Sequence, residues 1–279
     1  MDTKIIDFYD PDTGTFSYLL VCQETRQAAV IDPVLDLDIC AGKVSTRSAD
    51  QILAQAAENE LQIQWILETH CHADHLTAAD YLREKTGAQV AIGSGIQSVA
   101  ANFAHLFEAR LDLFDHLLED GEEITVGNAR IEVLATPGHT NDSLSYGWGD
   151  ALFVGDTVFP PDIGSARCDF PGGDASVLYD TLVKIHDRPA DSWLYFCHDY
   201  PPEHRPKPWC SSTVSDSRGH NIHIGDNFTR EAFVEMREGR DANLPVPKLL
   251  YPSLQVNLCA GRLPDEGENG VSYLRIPLL

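Results

Sequence analysis

The sequence predicts an α/β protein built as an αββα sandwich, with two β-sheets packed face to face and helices on their outer sides. Two observations predict it. Short strand-like runs alternate with amphipathic helical runs along the 279 residues, and the pattern of strands followed by helices occurs twice rather than as one continuous βα alternation. The hydrophobic share of 43% is enough to fill a core of that size.

Each element has a local reason. Lys4–Tyr9, Phe16–Cys22 and Ala28–Asp32 read as strands separated by the turn-rich DPDTG and QETRQ. Ala49–Leu61 carries Ile52, Leu53, Ala56 and Leu61 at helical spacing. The run IQWILE (63–68) reads as a buried strand that ends on THCHADH (69–75), and a helix is predicted over His75–Lys85, stopped at Gly87. AQVAIG (88–93) returns as a strand, so the motif sits in the loop of a β-α-β unit, where sites of open α/β sheets collect. The stretch 98–116 is read as an extra helix over the site. Glu122–Val126, Ala129–Ala135, Ser143–Gly147 and Ala151–Val154 form a second strand set. Asp174–His186 is then helical, Trp193–Cys197 a strand and Thr229–Glu238 a helix. DYPPEHRPKPW (199–209) leaves the core, residues 1–240 are expected to form the main domain, and 241–279 an extension packed on it, reading as strand and turn.

The charge balance narrows the partners. Against 43 acidic residues stand 20 basic ones, a formal charge of −23 that repels phosphate backbones and anionic lipid, so neither nucleic acid nor a membrane is expected as partner. No apolar leader region and no stretch of membrane-spanning length is read. The seven cysteines include no CxxC pair, which argues against a disulfide scaffold and a structural zinc knuckle. A reducing cytoplasm is the expected setting. Cys71, Cys168 and Cys197 adjoin candidate site residues and are read as buried core thiols.

THCHADH is where the chemistry concentrates. His70 and His72 lie two apart at a strand end and share a side in extended backbone, while Asp74 and His75 stand where the helix is predicted to begin. Asp74 is also a plausible helix N-cap, which would explain one of the four residues but not the histidines. Four such groups this close point to a metal. Further ligand types follow later strands: His139 in TPGHT, Asp156 in VGDT and His198 in YFCHDY.

With those seven positions the chain resembles the metallo-β-lactamase superfamily, whose pattern is HxHxDH followed by a His, an Asp and a final His. The resemblance implies a site at the edge between the two sheets. In binuclear hydrolases of that superfamily His70, His72 and His139 would hold one metal, and Asp74, His75 and His198 the other, with Asp156 bridging. THCHADH, ATPGHT, VGDTVFPPDIGSARCDF and HDYPP are further similar to the persulfide dioxygenase branch. That resemblance implies one Fe(II) per chain on His70, His139 and Asp156, a two-histidine, one-carboxylate face that leaves positions open. His72, Asp74, His75 and His198 would then orient ligands and water around it. It also implies O2 and glutathione persulfide, or a related low-molecular-weight persulfide, as substrates, with Arg167, Tyr200 and Arg218 as substrate contacts. The alternatives are a glyoxalase-II-like thiolesterase with two metals, zinc among them, a metal-loaded sulfur sensor or scaffold, and, less in keeping with the missing leader, a β-lactamase. The C-terminal stretch is a possible homodimer contact.

Overall fold

The computed structural model of the chain describes residues 2–226 and 228–278. The first half runs β1 (Thr3–Asp10), β2 (Thr15–Cys22), β3 (Gln27–Ile31), β4 (Val34–Asp38), β5 (Lys43–Ser45), α1 (Arg47–Glu58), β6 (Gln62–Leu67), β7 (Leu76–Thr77), α2 (Ala79–Thr86), β8 (Gln89–Gly93), α3 (Ile96–Phe103) and β9 (His116–Leu118). The second runs β10 (Glu123–Val126), β11 (Ala129–Ala135), β12 (Leu144–Trp148), β13 (Ala151–Phe153), α4 (Ala175–His186), β14 (Trp193–Tyr195), β15 (Ser211–Thr213), α5 (Val214–His220), α6 (Arg230–Asp241) and α7 (Leu250–Asn257).

Two six-stranded sheets result, ordered β1-β2-β3-β6-β8-β9 and β10-β11-β12-β13-β14-β15, with a small third sheet β5-β4-β7. Strand β2 shows why they stack. Its Phe16, Tyr18 and Leu20 pack into the apolar layer between the sheets with Ile131, Val133, Tyr146 and Phe153. The intervening Leu19 and Val21 face the other way, onto Ile52, Leu82 and Val99 of α1, α2 and α3. That period of two lets one strand serve two core layers. Leu178 and Leu182 of α4, Val214 of α5 and Phe233 of α6 cover Leu152 and Leu194 of the second sheet. The layers are therefore α-β-β-α, as the sequence predicts. Among the described residues no helix is long and apolar enough to cross a membrane.

Four local expectations are corrected. The helix after THCHADH begins at Ala79 rather than His75, because Leu76 and Thr77 pair with Leu35 and Val34 as a short antiparallel strand. Asp74 therefore caps nothing; the Thr77 hydroxyl serves the Ala79 N–H at 3.1 Å instead. Within the expected extra helix, 98–116, the α-helix ends at Phe103, a single 3-10 turn follows at Leu111–Leu113, and 116–118 form an edge strand parallel to β8. The tail is not strand and turn throughout, since Leu250–Asn257 is a helix. Its Pro252 sits in the first turn, where a missing N–H costs no bond, and Leu254 and Val256 enter the core shared with α1 to α3.

The last correction places a site residue. Strand β14 ends at Tyr195, not Cys197, because the chain then crosses from the second sheet to the first. Phe196 N–H still donates to Cys210 O, whereas Cys197 O accepts from Phe16 N–H at 2.7 Å and Asp199 N–H donates to Gly14 O. His198 bridges to Thr15, the first residue of β2, and so lands in the seam between the sheets.

Candidate metal centre

Two glycines let the later loops approach THCHADH. Gly138 takes φ +137, and a Cβ there would stand 2.4 Å from the Leu178 Cα of α4. Gly155 takes φ +55 and lies against Thr69, where a Cβ would be 2.9 Å from the Thr69 side chain. Only glycine adopts these conformations at little cost, and each precedes a candidate ligand, His139 and Asp156.

All seven polar residues of the predicted pattern converge. The metal-binding atoms of His70, His139 and Asp156 lie within 4.8 Å of one another, and so, as a separate set, do those of His72, Asp74, His75 and His198. His70 Nε2 is 4.0 Å and His139 Nε2 3.8 Å from Asp156 Oδ2. Two ligands about 2.1 Å from one ion cannot be much further apart than about 4.2 Å, so these separations fit a shared ion. The other oxygen, Asp156 Oδ1, faces His198 Nε2 at 3.4 Å, and Asp74 Oδ2 stands 3.1 Å from the same nitrogen.

The tautomers are set from outside. His139 Nδ1–H donates to the Arg167 carbonyl at 2.6 Å, freeing Nε2 as a lone-pair donor. His70 Nδ1 lies 3.1 Å from Thr69 Oγ1, whose own proton goes to Asp32 Oδ2, so His70 Nδ1 is the donor and Nε2 again is free. Backing of this kind holds metal-bound imidazoles in orientation. His70 Nε2, both ring nitrogens of His72, His75 Nε2, His198 Nε2 and Asp156 Oδ1 are buried with no hydrogen-bond partner in the protein. Leaving six such atoms unsatisfied in one place is costly, and ligation to a cation is an arrangement that satisfies such atoms.

The charge states agree with that. Burial pushes the His70 and His72 imidazoles well below their usual range, helped by the neighbouring histidines, so both are held in the neutral, ligating form. Burial also disfavours a charged Asp74, but His198 and the contact from His75 outweigh it and hold its carboxyl well below the usual carboxylate range. His198 moves the other way: burial lowers it, and Asp74 and then Asp156 raise it further.

Several participants have no signal in the sequence. Asp32, buried at the end of β3 with φ +47, accepts from the Thr69 N–H and hydroxyl and stands 3.0 Å from His72 Nε2. Glu68 receives the Thr77 hydroxyl and lies 3.7 Å from His72 Nε2; burial and then Asp32 raise its carboxyl well above the usual range. Asp142 Oδ2 accepts the Cys71 N–H at 2.7 Å. The Cys71, Cys168 and Cys197 thiols are buried, and burial raises each of them, which leaves them protonated.

Of the expected substrate contacts, Tyr200 stacks on His198 with ring centroids 5.7 Å apart and its ring half exposed. The Arg167 guanidinium, close to the His139 loop, is paired with Asp169 at 2.6 and 2.7 Å and with Pro245 O at 2.9 Å. Arg218 is not brought to the cluster. It is on α5, 3.6 Å from Asp226 and near His186 at the C-terminal end of α4, whereas the His139 loop packs at Leu178 near the N-terminal end. The interval from residue 178 to 186 is roughly 12 Å of helix. Phe159 and Phe170 flank the cluster, 6.2 Å from the His198 ring and 6.0 Å from the His139 ring, and Phe103 of α3 reaches Phe170 from outside.

The pattern describing the Metallo-beta-lactamase superfamily matches residues 10–198, which span both sheets and all seven polar residues. The chain belongs to the metallo-β-lactamase superfamily. Within it, a Burkholderia pseudomallei protein named as a metallo-hydrolase is 45% identical over 97% of this chain and 97% of its own. The mitochondrial persulfide dioxygenase ETHE1 of Homo sapiens is 32% identical over 91% of this chain and 87% of its own. The crystal structure of ETHE1 from Myxococcus xanthus superposes with a TM-score of 0.76 at 33% identity, covering 93% of this chain and all of that one.

Proposed function

We propose that this metallo-β-lactamase-fold chain is a persulfide dioxygenase working at one iron held by His70, His139 and Asp156. The observation that carries the reading is the way the donors divide. In a binuclear hydrolase His72 would join His70 and His139, but here its Nε2 stands 3.0 Å from Asp32 Oδ1 and its donors group with Asp74, His75 and His198. What remains on the other side is a two-histidine, one-carboxylate set, the donor type suited to non-haem Fe(II) oxygenases. The identity to the persulfide dioxygenase ETHE1 supports the same reading.

Iron(II) bound there would supply open positions for O2 and a persulfide sulfur and carry electrons between them. Overall, glutathione persulfide, O2 and water give glutathione, sulfite and protons. The protein's residues would bind, orient and move protons. Asp74 and His198, 3.1 Å apart and each favouring the other's charge, are placed to hold and orient a water by hydrogen bonds. Phe159, Phe170 and the Tyr200 ring would wall the substrate sulfur from bulk solvent. Of the three expected contacts, Arg167, whose carbonyl binds His139, is the one suited to a glutathione carboxylate.

A second reading has its own observation. Asp156 turns one oxygen to each donor set, as a ligand bridging two ions would, and the 45% identical relative is named as a metallo-hydrolase. Metal analysis of anaerobically purified protein together with an oxygen electrode decides between them. One iron per chain and oxygen uptake with glutathione persulfide are expected. Two zinc ions, thioester cleavage and no oxygen uptake would overturn the dioxygenase reading.

A further inference from the structure

The loop between β6 and β7 carries His70, His72, Asp74 and His75, yet its backbone lies largely outside the sheets. The Thr69 carbonyl accepts the Leu144 N–H, but several of the loop's other main-chain groups are taken by side chains from elsewhere. Asp32 accepts the Thr69 N–H at 2.7 Å and Asp142 the Cys71 N–H at 2.7 Å. The second half of the loop is held by one residue, Asn257, at the end of α7. Asn257 Nδ2 donates to His72 O at 2.8 Å and His75 O at 2.9 Å, and Oδ1 accepts the Thr77 N–H at 2.9 Å. Both amide hydrogens and the carbonyl are used, and the side chain is buried. A carboxylate or an apolar side chain at this position would leave at least one of the two carbonyls and the N–H unpaired.

We infer that Asn257 is a positioning residue for the metal loop, fixing the backbone of His72 and His75 and thereby the set His72, Asp74, His75 and His198. The residue lies outside the stretch 10–198 that matches the superfamily pattern, so the C-terminal helix contributes to the site's geometry as well as to the core. Asp32 and Asp142 grip the other half of the loop, so it stays folded when Asn257 is replaced, but His70 lies two residues from His72 on the same short loop and loses rigidity with it. The inference rests on the loop binding a metal, and not on which reaction follows.

The test is the rate at which Co(II)-loaded full-length protein loses its metal to excess EDTA, followed by the visible absorption of the bound ion. Asn257→Ala is compared with Leu254→Ala, a core truncation one turn earlier on the same helix, and melting temperatures are measured on all proteins. Asn257→Ala is expected to speed metal loss at least tenfold, within the range for lost outer-shell support. Leu254→Ala is expected to lower the melting temperature as much or more with the release rate within twofold of wild type. Should Asn257→Ala not fold, Asn257→Asp, which keeps the Thr77 acceptor and loses both donors, carries the same expectation. Equal release from Asn257→Ala and wild type, or equal acceleration by the two truncations, overturns the inference. So does failure of both Asn257 variants to fold while Leu254→Ala folds. A wild-type protein that binds no Co(II) would instead overturn the metal reading itself, a result distinguishable from all of these.

Discussion

Arg205 and Asp199 form a two-pronged ion pair in the interior, Nη1 to Oδ2 at 2.6 Å and Nη2 to Oδ1 at 2.9 Å. The same guanidinium holds Asp162 through Nε and Nη2 and donates to Lys207 O, so all five of its N–H groups are used. Its face lies 4.2 Å from the Trp209 ring. Asp199 follows His198, and Asp162 belongs to the loop that starts at Asp156, so one side chain ties two ligand-bearing segments together. Replacing Arg205 with Met strands the buried Asp199 carboxylate. We expect a loss of about 3 kcal/mol in urea denaturation, and Arg205→Lys, without the planar fork, to recover only part of it. A loss under about 0.5 kcal/mol, the scale of an exposed pair, would show that the pair is solvated.

The proposed ligand division makes the two ends of the cluster unequal. Asp156→Ala removes the only carboxylate of the His70 and His139 set, and iron content should fall to background. His198→Ala should keep its iron and lose at least tenfold in turnover. Equal metal loss in both variants, read by elemental analysis, contradicts the single-iron assignment.

Arg167 reaches the site in two separable ways. Its main-chain carbonyl holds His139, and its guanidinium pairs with Asp169 two residues on. Arg167→Ala retains the carbonyl, so a substrate role predicts a KM for glutathione persulfide raised about tenfold, roughly 1.4 kcal/mol, at nearly constant kcat. Arg218→Ala, changed far from the cluster, should leave KM within twofold. Unchanged KM in both would restrict Arg167 to its pairing with Asp169.

Gly138→Ala puts a methyl where the Leu178 backbone already stands, at a φ that L residues avoid. The PGHT turn must then move off α4 and carry His139 with it. A stability loss of about 2–4 kcal/mol is expected, together with weaker iron retention. A variant with wild-type stability and full iron would mean the turn relaxes freely.

Two histidines remote from the metal residues give the fold an acid limit. Burial lowers His186 and His223 to about 4 each, below the ordinary histidine value of 6.5. Because the folded form resists protonation, the unfolded chain binds more protons between those values. The associated stability is therefore full above pH 6.5 and is lost as the pH falls toward 4. After allowing for screening, each contributes about 2 kcal/mol. His223→Gln should flatten melting temperature against pH in that window, and an unaltered slope would remove His223 from the account.

The sheets and the seven polar residues were readable because each follows a local rule: a short apolar run bounded by turn residues in β2, a Pro-Gly turn before His139, a Gly before Asp156. What supports them was not. Asp32, Asn257 and Arg205 act through side chains on distant partners, and such bonds leave no period or spacing behind. Helix α7 was hidden for another reason, since Pro252 reads as a breaker unless it is known to occupy a first turn. Strand β14 was overextended because Phe196 and Cys197 are apolar enough to continue it, while the crossing to β2 is a tertiary choice.

The three supports of THCHADH lie 37, 71 and at least 182 residues from the groups they hold. During synthesis the motif emerges early, yet its last clamp is made only after residue 257 has left the ribosome. A nascent chain therefore carries a metal-attracting loop with no fixed shape for most of its translation. The loop's final geometry is a property of the finished protein, and any ion captured sooner would be held without the Asn257 clamp.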